Sequence, residues 1–437
     1  MLHVFQVLSS RPRSVLVKIF LAAVFLIGIT IGKPGVKTSV AQEINYDESR
    51  MPKFELPDPL KFQAGKTVTS AADWPKRRTE ILELFQQHVY GQRPETAFQV
   101  QYESQALAAG PFGNDVTVNL ITLKLRCQER ETRLPVLLIL PKSERPVPVF
   151  LGPNFQGNYT ISHHPEVPLP DGWVPDRLHK GEHVANEQLR GTAASRWPVK
   201  AIVEAGYGLA TVYSGDIDPD FDDGFRNGVH YLLEGDDQKA DWGTISAWAW
   251  GLSQVMTYLQ TDSRIDGDRV IVIGHSRLGK TALWAGATDS RFAAVVSNNS
   301  GCGGAALSRR RIGESVYRIN ESFPHWFNQK FKEYNDNEDQ CPVDQHQLIA
   351  AIAPRPVYIA SATEDRWADP KGEFQSGVLA TPVYQLLGTE GLTLSEFPAP
   401  EQPCHSIIGY HLRSGKHDIT AYDWQQYLHF ADQHLGK

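Results

Sequence analysis

Cysteine is scarce in this chain, with four residues in 437. None of them stands in C-x-x-C or another ligand spacing, so a thiolate zinc site is not expected. Positive charge is not in excess either. The formal net charge is -7 with His counted neutral, which gives no reason to expect nucleic acid as a partner, since its binders present clustered basic faces. There is no internal repeat and no low-complexity tract. Beyond the N-terminus no segment approaches the roughly 20 apolar residues of a membrane span. What remains is ordinary globular composition, 41% hydrophobic and 21% charged, and a length that suits one large α/β sheet with insertions. The 10 Trp and 15 Tyr are numerous enough to suggest sugar-ring contacts, although most aromatic side chains serve a core.

The N-terminus carries its own signal. Arg11, Arg13 and Lys18 precede an apolar run from Ile19 to Gly32, and Ser39-Val40-Ala41 supplies small residues at a peptidase spacing. This order is that of a secretory signal. An uncleaved membrane anchor is the alternative, and the run is short for one. Residues 1–41 are therefore expected to be a signal peptide and residues 42–437 a single domain, secreted or periplasmic, with no stable membrane insertion after cleavage. An oxidising compartment lets four cysteines pair in three ways.

Residues 42–70 are polar and Pro-rich and read as an extended lead-in. Ile81, Leu82, Leu84 and Phe85 place a helix over Trp74 to Val89. Val116–Leu125 and Leu134–Leu140 predict an antiparallel hairpin at the sheet edge. Short apolar runs follow at Val147–Leu151, Gly208–Val212, Val270–Ile273, Ala293–Val296 and Val357–Ala360, with Leu392–Phe397 last. Unbroken runs of this length suit strands buried on both faces of a parallel sheet. Helical stretches at Gly243–Leu259 and Lys280–Ala287 alternate with them. The expected fold class is α/β, doubly wound and mostly parallel, with an antiparallel N-terminal edge. Residues 156–200 and 305–345 are polar and strand-poor, and are expected as long insertions over the strand C-terminal ends, where ligands bind in such sheets.

Chemistry concentrates in Arg269-Val-Ile-Val-Ile-Gly-His-Ser-Arg-Leu-Gly-Lys280. A strand ends at Gly274, Ser276 stands at the turn, and a helix follows at once. This is the order of a nucleophile elbow and of the α/β-hydrolase fold, although the usual G-x-S-x-G is here G-x-S-x-x-G. The plain alternative makes Ser276 a helix N-cap. A nucleophilic serine needs a base, and the base needs an orienting acid. In this fold they follow in the order Ser, acid, His. The strand Pro356–Ala362 ends on Thr363-Glu364-Asp365, so Asp365 or Glu364 is the candidate acid. His405, His411, His417 and His429 compete for the base. His417, in the polar loop Gly415–Thr420, is best placed.

The segment Gly274-His-Ser-Arg-Leu-Gly-Lys280 resembles the elbow of the glucuronoyl esterases (carbohydrate esterase family 15), bacterial branch. The resemblance continues through Ser297-Asn-Asn-Ser-Gly301, Ile312-Gly-Glu314, Pro342-Val-Asp344, Glu364-Asp-Arg-Trp367, Gly409-Tyr-His411 and Gly415-Lys-His417, and covers most of residues 50–430. It implies Ser276 as nucleophile, His417 as base and Arg277 as an oxyanion-stabilising side chain. It also implies that Lys280, Glu314 and Trp367 hold the glucuronate hydroxyls and ring. Many members carry the triad's Glu where this chain has Asn299. Other bacterial members place an acid at the position of Asp365.

The expected enzyme is a carboxylic ester hydrolase, like 4-O-methyl-glucuronoyl methylesterases. Its expected substrate is the ester between 4-O-methyl-glucuronic acid of glucuronoxylan and a lignin alcohol, cleaved through an acyl-enzyme without a cofactor. Backbone N–H groups near Arg277, its side chain and the Asn154–Phe155 loop are expected around the oxyanion. The rivals are another carbohydrate esterase, such as an acetyl xylan esterase, and a degenerate hydrolase that only binds polysaccharide. Glu314 could instead pair with Arg309, Arg310 or Arg311, and Trp367 could be core. A Cys302–Cys341 disulfide is expected to tie two segments of the site together.

Overall fold

Every residue of five strands is buried. They are β4 (Val147–Asn154), β5 (Gly208–Tyr213), β7 (Ala294–Asn298), β8 (Val357–Ala362) and β9 (Ile408–Arg413). β6 (Ile265–His275) is buried from Val270 onward. Such strands can only lie in the middle of a layered domain, with helices on both faces. The computed structural model describes residues 44–178, 181–237 and 241–436. The signal segment expected over 1–41 lies outside them. Ile44–Lys437 form one compact unit.

Nine strands make a single sheet in the order β1-β2-β3-β5-β4-β6-β7-β8-β9. From β5 to β9 neighbours run parallel, whereas β1, β2 and β3 join β5 through antiparallel pairs. The hairpin β2 (Val116–Cys127) and β3 (Arg130–Pro141) is present but is not the edge. β1 (Gln99–Leu107) pairs outside it. Its sequence, Gln-Val-Gln-Tyr-Glu-Ser-Gln-Ala-Leu, is polar and mostly exposed, so it has no apolar alternation by which to be seen.

The last strand also differs from expectation. Leu392–Phe397 is irregular, and β9 at Ile408–Arg413 takes its place beside β8. The N–H groups of Leu392 and Thr393 are spent on Thr381 Oγ1 at 2.9 Å and Ser406 Oγ at 3.2 Å. Pro398, Pro400 and Pro403 follow closely, and proline cannot donate to a ladder. β9 itself contains His411 and Arg413, both buried, which breaks the apolar run that marks its neighbours.

The helices that frame the site are α1 (Trp74–Phe85), α2 (Thr244–Leu259), α3 (Arg277–Thr288), α4 (Pro370–Leu386) and α5 (Ala421–Leu435). On one face of the sheet, Ile245, Trp248, Leu252 and Leu283 pack on Val149, Val272 and Val295. On the other, Trp424, Tyr427 and Phe430 of α5 pack on Phe150, Ile271 and Tyr358. The two polar insertions leave the C-terminal ends of β4 and β7 as short 3₁₀ turns, with a seven-residue helix over Val316–Ser322 in the second, so they lie over the end of the sheet where β6 delivers Ser276. Among the described residues no helix is long and apolar enough to cross a membrane.

Candidate active site

At the end of β6, Ser276 has φ 58° and ψ -131°, a conformation that costs a non-glycine residue roughly 1–3 kcal/mol. The surroundings impose it. Ser276 N–H donates to Asn298 O at 2.9 Å, and α3 begins at the next residue. The chain turns so tightly that a Cβ on Gly274 would stand 1.9 Å from Leu278 O. The late glycine of the motif has a local cause as well. A Cβ on Gly279 would stand 3.1 Å from both Gly274 O and Ser300 Cβ, where α3 crosses the strand ends. The N–H groups of Gly279 and Lys280 close the first turn of α3 on Ser276 O at 2.8 and 3.2 Å, and those of Arg277 and Leu278, ahead of them, have no intrahelical acceptors. They present partial positive charge beside the serine.

His417 lies beside this elbow, its ring centroid 4.6 Å from that of His275. His417 Nδ1 is 2.6 Å from Asp365 Oδ2, and the histidine side chain is 40% exposed while the carboxylate is 3% exposed. Glu364 points to solvent. Asn299, itself at φ 47°, donates from Nδ2 to the same Asp365 Oδ2 at 2.7 Å. The other three histidines are engaged elsewhere. His405 meets Gln426 and lies against the tilted ring of His429, and His411 meets Asp423 and Tyr358.

Both cations of the motif are already paired. Arg277 Nε is 2.6 Å from Asp220 Oδ2, and its guanidinium lies over the Phe155 ring at 4.6 Å and the Trp326 ring at 5.7 Å. Asp220 also accepts from Trp326 Nε1 at 2.7 Å and faces His325 Nε2 at 3.1 Å. Burial alone would raise the Asp220 pKa. Arg277, with the two hydrogen-bond partners, more than offsets that and holds it below the ordinary aspartate value. Lys280 Nζ donates to Ser300 O and Cys302 O, each at 2.7 Å, and to Glu314 Oε2 at 3.2 Å. Those three partners use all three ammonium protons.

Glu314 is therefore paired with Lys280 and with none of the neighbouring arginines. Arg309 pairs with Asp344, Arg310 with Asp369 and Glu48, and Arg311 with Glu338. Trp367 is half-buried, and its carbonyl accepts from Glu314 N–H at 2.9 Å, so the two residues share one rim. Asn154 is less available than expected. Its Nδ2 donates to Asn158 Oδ1 and Thr211 Oγ1, and its Oδ1 accepts from Gly157 N–H. That loop reaches the site through Phe155 instead.

The expected Cys302–Cys341 disulfide is not formed. Both are buried free thiols. Burial raises the thiol pKa of each, that of Cys341 to about 12. Their segments are tied by cations instead, Cys302 O to Lys280 and Cys341 O to Arg309.

Several residues were not singled out by sequence pattern. His275 precedes the serine and is buried. Desolvation, and next the charge of His417, depress its pKa well below the usual value, so it stays neutral. Its Nδ1 is 2.6 Å from Asn298 Oδ1. Asn298 Nδ2 donates to Tyr427 Oη at 2.7 Å and Asp423 Oδ1 at 3.3 Å. Asp423 can only accept, so the amide oxygen must face His275, and the proton of His275 sits on Nδ1. Glu373 of α4 is fully buried beneath the site. Its carboxylate accepts from Ser300 N–H at 2.7 Å, Gly301 N–H at 2.9 Å and Ser361 Oγ at 2.6 Å. It thereby fixes the turn whose carbonyls hold Lys280. Asp220, Glu373 and Asp423 sit in ordinary polar-looking stretches. Only the Thr420-x-x-Asp423 spacing, a capping box in the structure, offers a local signal.

A strained serine between a buried strand and a helix N-terminus, with a His–Asp pair arriving from the ends of the following strands, defines an α/β-hydrolase. Among known proteins, the family description "Glucuronyl esterase, fungi" matches residues 198–388. Carbohydrate esterase MZ0003, from an unknown prokaryotic organism, is 50% identical over 399 residues, covering 90% of this chain and 92% of its own length. A solved promiscuous CE15 esterase from a marine bacterial metagenome is 49% identical with TM-score 0.83, over 90% of this chain and 100% of that one. The glucuronoyl esterase from Solibacter usitatus is 42% identical with TM-score 0.82, over 89% of this chain and 100% of that one. The chain belongs to the glucuronoyl esterase family, carbohydrate esterase family 15.

Proposed function

We propose that this protein hydrolyses esters of 4-O-methyl-glucuronic acid borne on glucuronoxylan, releasing a lignin-type alcohol, with Ser276 as nucleophile, His417 as base and Asp365 as its orienting acid. The observation that carries the reading is the strained Ser276 elbow beside a His417–Asp365 pair 2.6 Å apart. His417 takes the Ser276 proton as Oγ attacks the ester carbonyl, and Asp365 stabilises the imidazolium. The N–H groups at the very start of α3, at Arg277 and Leu278, and the Arg277 side chain receive the oxyanion. The alcohol leaves with the proton from His417, and water, activated by the same histidine, cleaves the acyl-enzyme.

Glu314 has Oε2 on Lys280, which leaves Oε1 for a sugar hydroxyl. Trp367, on the same rim, supplies a ring face. Lys280 then acts by holding the Glu314 side chain and the Ser300–Cys302 turn in place. The half-exposed His417 keeps the alcohol side open, as a polymer-borne ester requires. Export of the mature domain, read from residues 1–41, places the enzyme with its polymeric substrate.

The test is hydrolysis of benzyl glucuronate beside methyl glucuronate and acetylated xylan. The reading expects turnover of the glucuronate esters, with benzyl ahead of methyl. Activity on acetylated xylan alone would replace it with an acetyl esterase. Failure of a fluorophosphonate probe to label Ser276 would replace it with a polysaccharide-binding protein.

A further inference from the structure

His417 sits in the middle of a seven-residue loop, 414–420, between β9 and α5. Ordering such a loop costs roughly 1–2 kcal/mol per residue in backbone entropy. A general base must nevertheless be held to within about 0.5 Å. The loop's geometry therefore needs a source, and one side chain supplies most of it. Arg413, the last residue of β9, is 4% exposed. Its Nη2 donates to Lys416 O at 2.8 Å and Asp418 O at 2.6 Å, the carbonyls on either side of His417, and its Nη1 donates to Ser414 O at 3.3 Å. Its Nε is 2.9 Å from Asp423 Oδ2.

Asp423 closes the other end of the same loop. The carboxylate accepts from Thr420 N–H at 2.6 Å and Thr420 Oγ1 at 2.7 Å. One buried ion pair thus grips the carbonyls of the two residues flanking His417 and the point where the loop enters α5. The loop is also stitched to the strand end carrying Asp365. Glu364 N–H donates to Gly415 O at 2.9 Å, and Gly415 N–H donates to Thr363 Oγ1 at 3.1 Å. The guanidinium reaches these partners from three separate nitrogens, Nε to Asp423, Nη1 to Ser414 O and Nη2 to Lys416 O and Asp418 O, whereas a lysine has a single nitrogen for the same four acceptors.

We infer that Arg413, anchored on Asp423, is a positioning residue for the base of the ester hydrolysis: it clamps the carbonyls of Lys416 and Asp418, on either side of His417, so that the imidazole faces Asp365 and Ser276. The inference rests on the serine-esterase reading above. Its test measures kcat per Ser276, with the active sites titrated to completion by a fluorophosphonate, for the parent, Arg413→Lys and Arg413→Met. Arg413→Lys keeps a cation beside Asp423 and should lose about tenfold in kcat. Arg413→Met should lose about a hundredfold, the scale of a 1 Å misplacement. KM should stay within twofold in both, and the rate of Ser276 labelling should fall in step with kcat. A purely structural role would lower Tm and the titratable fraction while leaving kcat per titrated site unchanged, and that result overturns the inference. If Arg413→Met does not fold, Arg413→Lys decides alone. A parent that takes no label sinks the esterase reading and this inference with it, whereas a labelled parent with unaffected variants sinks this inference only.

Discussion

Asp365→Asn removes one charge and almost nothing else, and the structure shows why. The two donors that reach Asp365, His417 Nδ1 at 2.6 Å and Asn299 Nδ2 at 2.7 Å, converge on the same oxygen, Oδ2. An asparagine at 365 can turn its carbonyl to that point and keep both contacts, so the loss reports charge rather than geometry. His417 becomes an imidazolium in the transition state, and a carboxylate only 3% exposed is little screened by water. Removing the carboxylate from a serine triad costs on the order of 10⁴ in kcat, which is about 5.5 kcal/mol. Asn299→Ala removes one hydrogen bond to Asp365 and should cost about tenfold, as should Glu364→Gln at most, since Glu364 faces solvent. The assay is kcat on benzyl glucuronate, with Tm checked for each variant. Asn299→Ala as damaging as Asp365→Asn would refute the assignment. In that case Asn299→Glu should raise activity. The expected result is no gain, because a second carboxylate within hydrogen-bonding reach of Asp365 cannot also be ionised without a large penalty.

Ser276→Ala should remove nearly all esterase activity with the fold intact, because triad members act as a unit; activity within tenfold of the parent would sink the nucleophile assignment. Glu314→Gln and Trp367→Ala should raise KM on glucuronate esters, and no change in KM or kcat would leave both residues with packing roles alone. Alkylation in denaturant without reductant should modify all four cysteines, and a linked Cys302–Cys341 peptide would contradict the free thiols. Burial, and among its charged neighbours Asp365, lifts Glu373 from 4.5 to about 8. A carboxyl raised in the folded state contributes stability that is fully present below the unfolded pKa and lost as pH rises through the folded one. The Tm of the parent should therefore fall between pH 5.5 and 8.5 by an amount worth a few kcal/mol. Glu373→Gln, which mimics the protonated form, should flatten that fall, and equal slopes would refute the argument.

How much of this was legible in the sequence follows from which residues announce themselves. The buried parallel strands did, because burial on both faces demands unbroken apolar runs, as at Val270–Ile273 and Val357–Ala360. β1 did not, because an exposed edge strand can be as polar as Gln99–Gln105. β9 was displaced onto Leu392–Phe397 because His411 and Arg413 interrupt its apolar run and find their partner, Asp423, ten or twelve residues on, in a helix. Ser276 and His417 were singled out from chain order and location, which left Asp365 and Glu364 both open as the acid, and the structure brings His417 and Asp365 into contact while Glu364 is exposed. The pairs that tune the site were invisible, since Asp220 meets Arg277 and Glu373 meets Ser300 only through the fold, the partners standing 57 and 73 positions apart in the sequence. The disulfide was expected from the sequence neighbourhoods of Cys302 and Cys341, and such neighbourhoods do not fix where two side chains point.

Those tuning pairs change how selectivity must arise. In sequence, Arg277 and Lys280 read as two positive charges beside the nucleophile, an attraction for a uronate. In the fold each is answered by its own carboxylate, Asp220 at 2.6 Å and Glu314 at 3.2 Å. That matters because the substrate of the proposed reaction is a neutral ester while its acid product is an anion. One unpaired cation about 4 Å from the product carboxylate, at an effective dielectric of 20, would favour product by about 4 kcal/mol, roughly a thousandfold in affinity. Two unpaired cations would hold product and stall the enzyme. Paired, the two cations leave little net field. In the proposed reaction the Arg277 side chain then meets the oxyanion as it forms and lets the product leave, while Lys280, whose protons are all engaged, holds Glu314 and the Ser300–Cys302 turn. Preference for a glucuronate over an acetate then cannot come from bulk charge. It has to come from directional contacts to the sugar, which puts the burden on Glu314 Oε1 and the Trp367 ring.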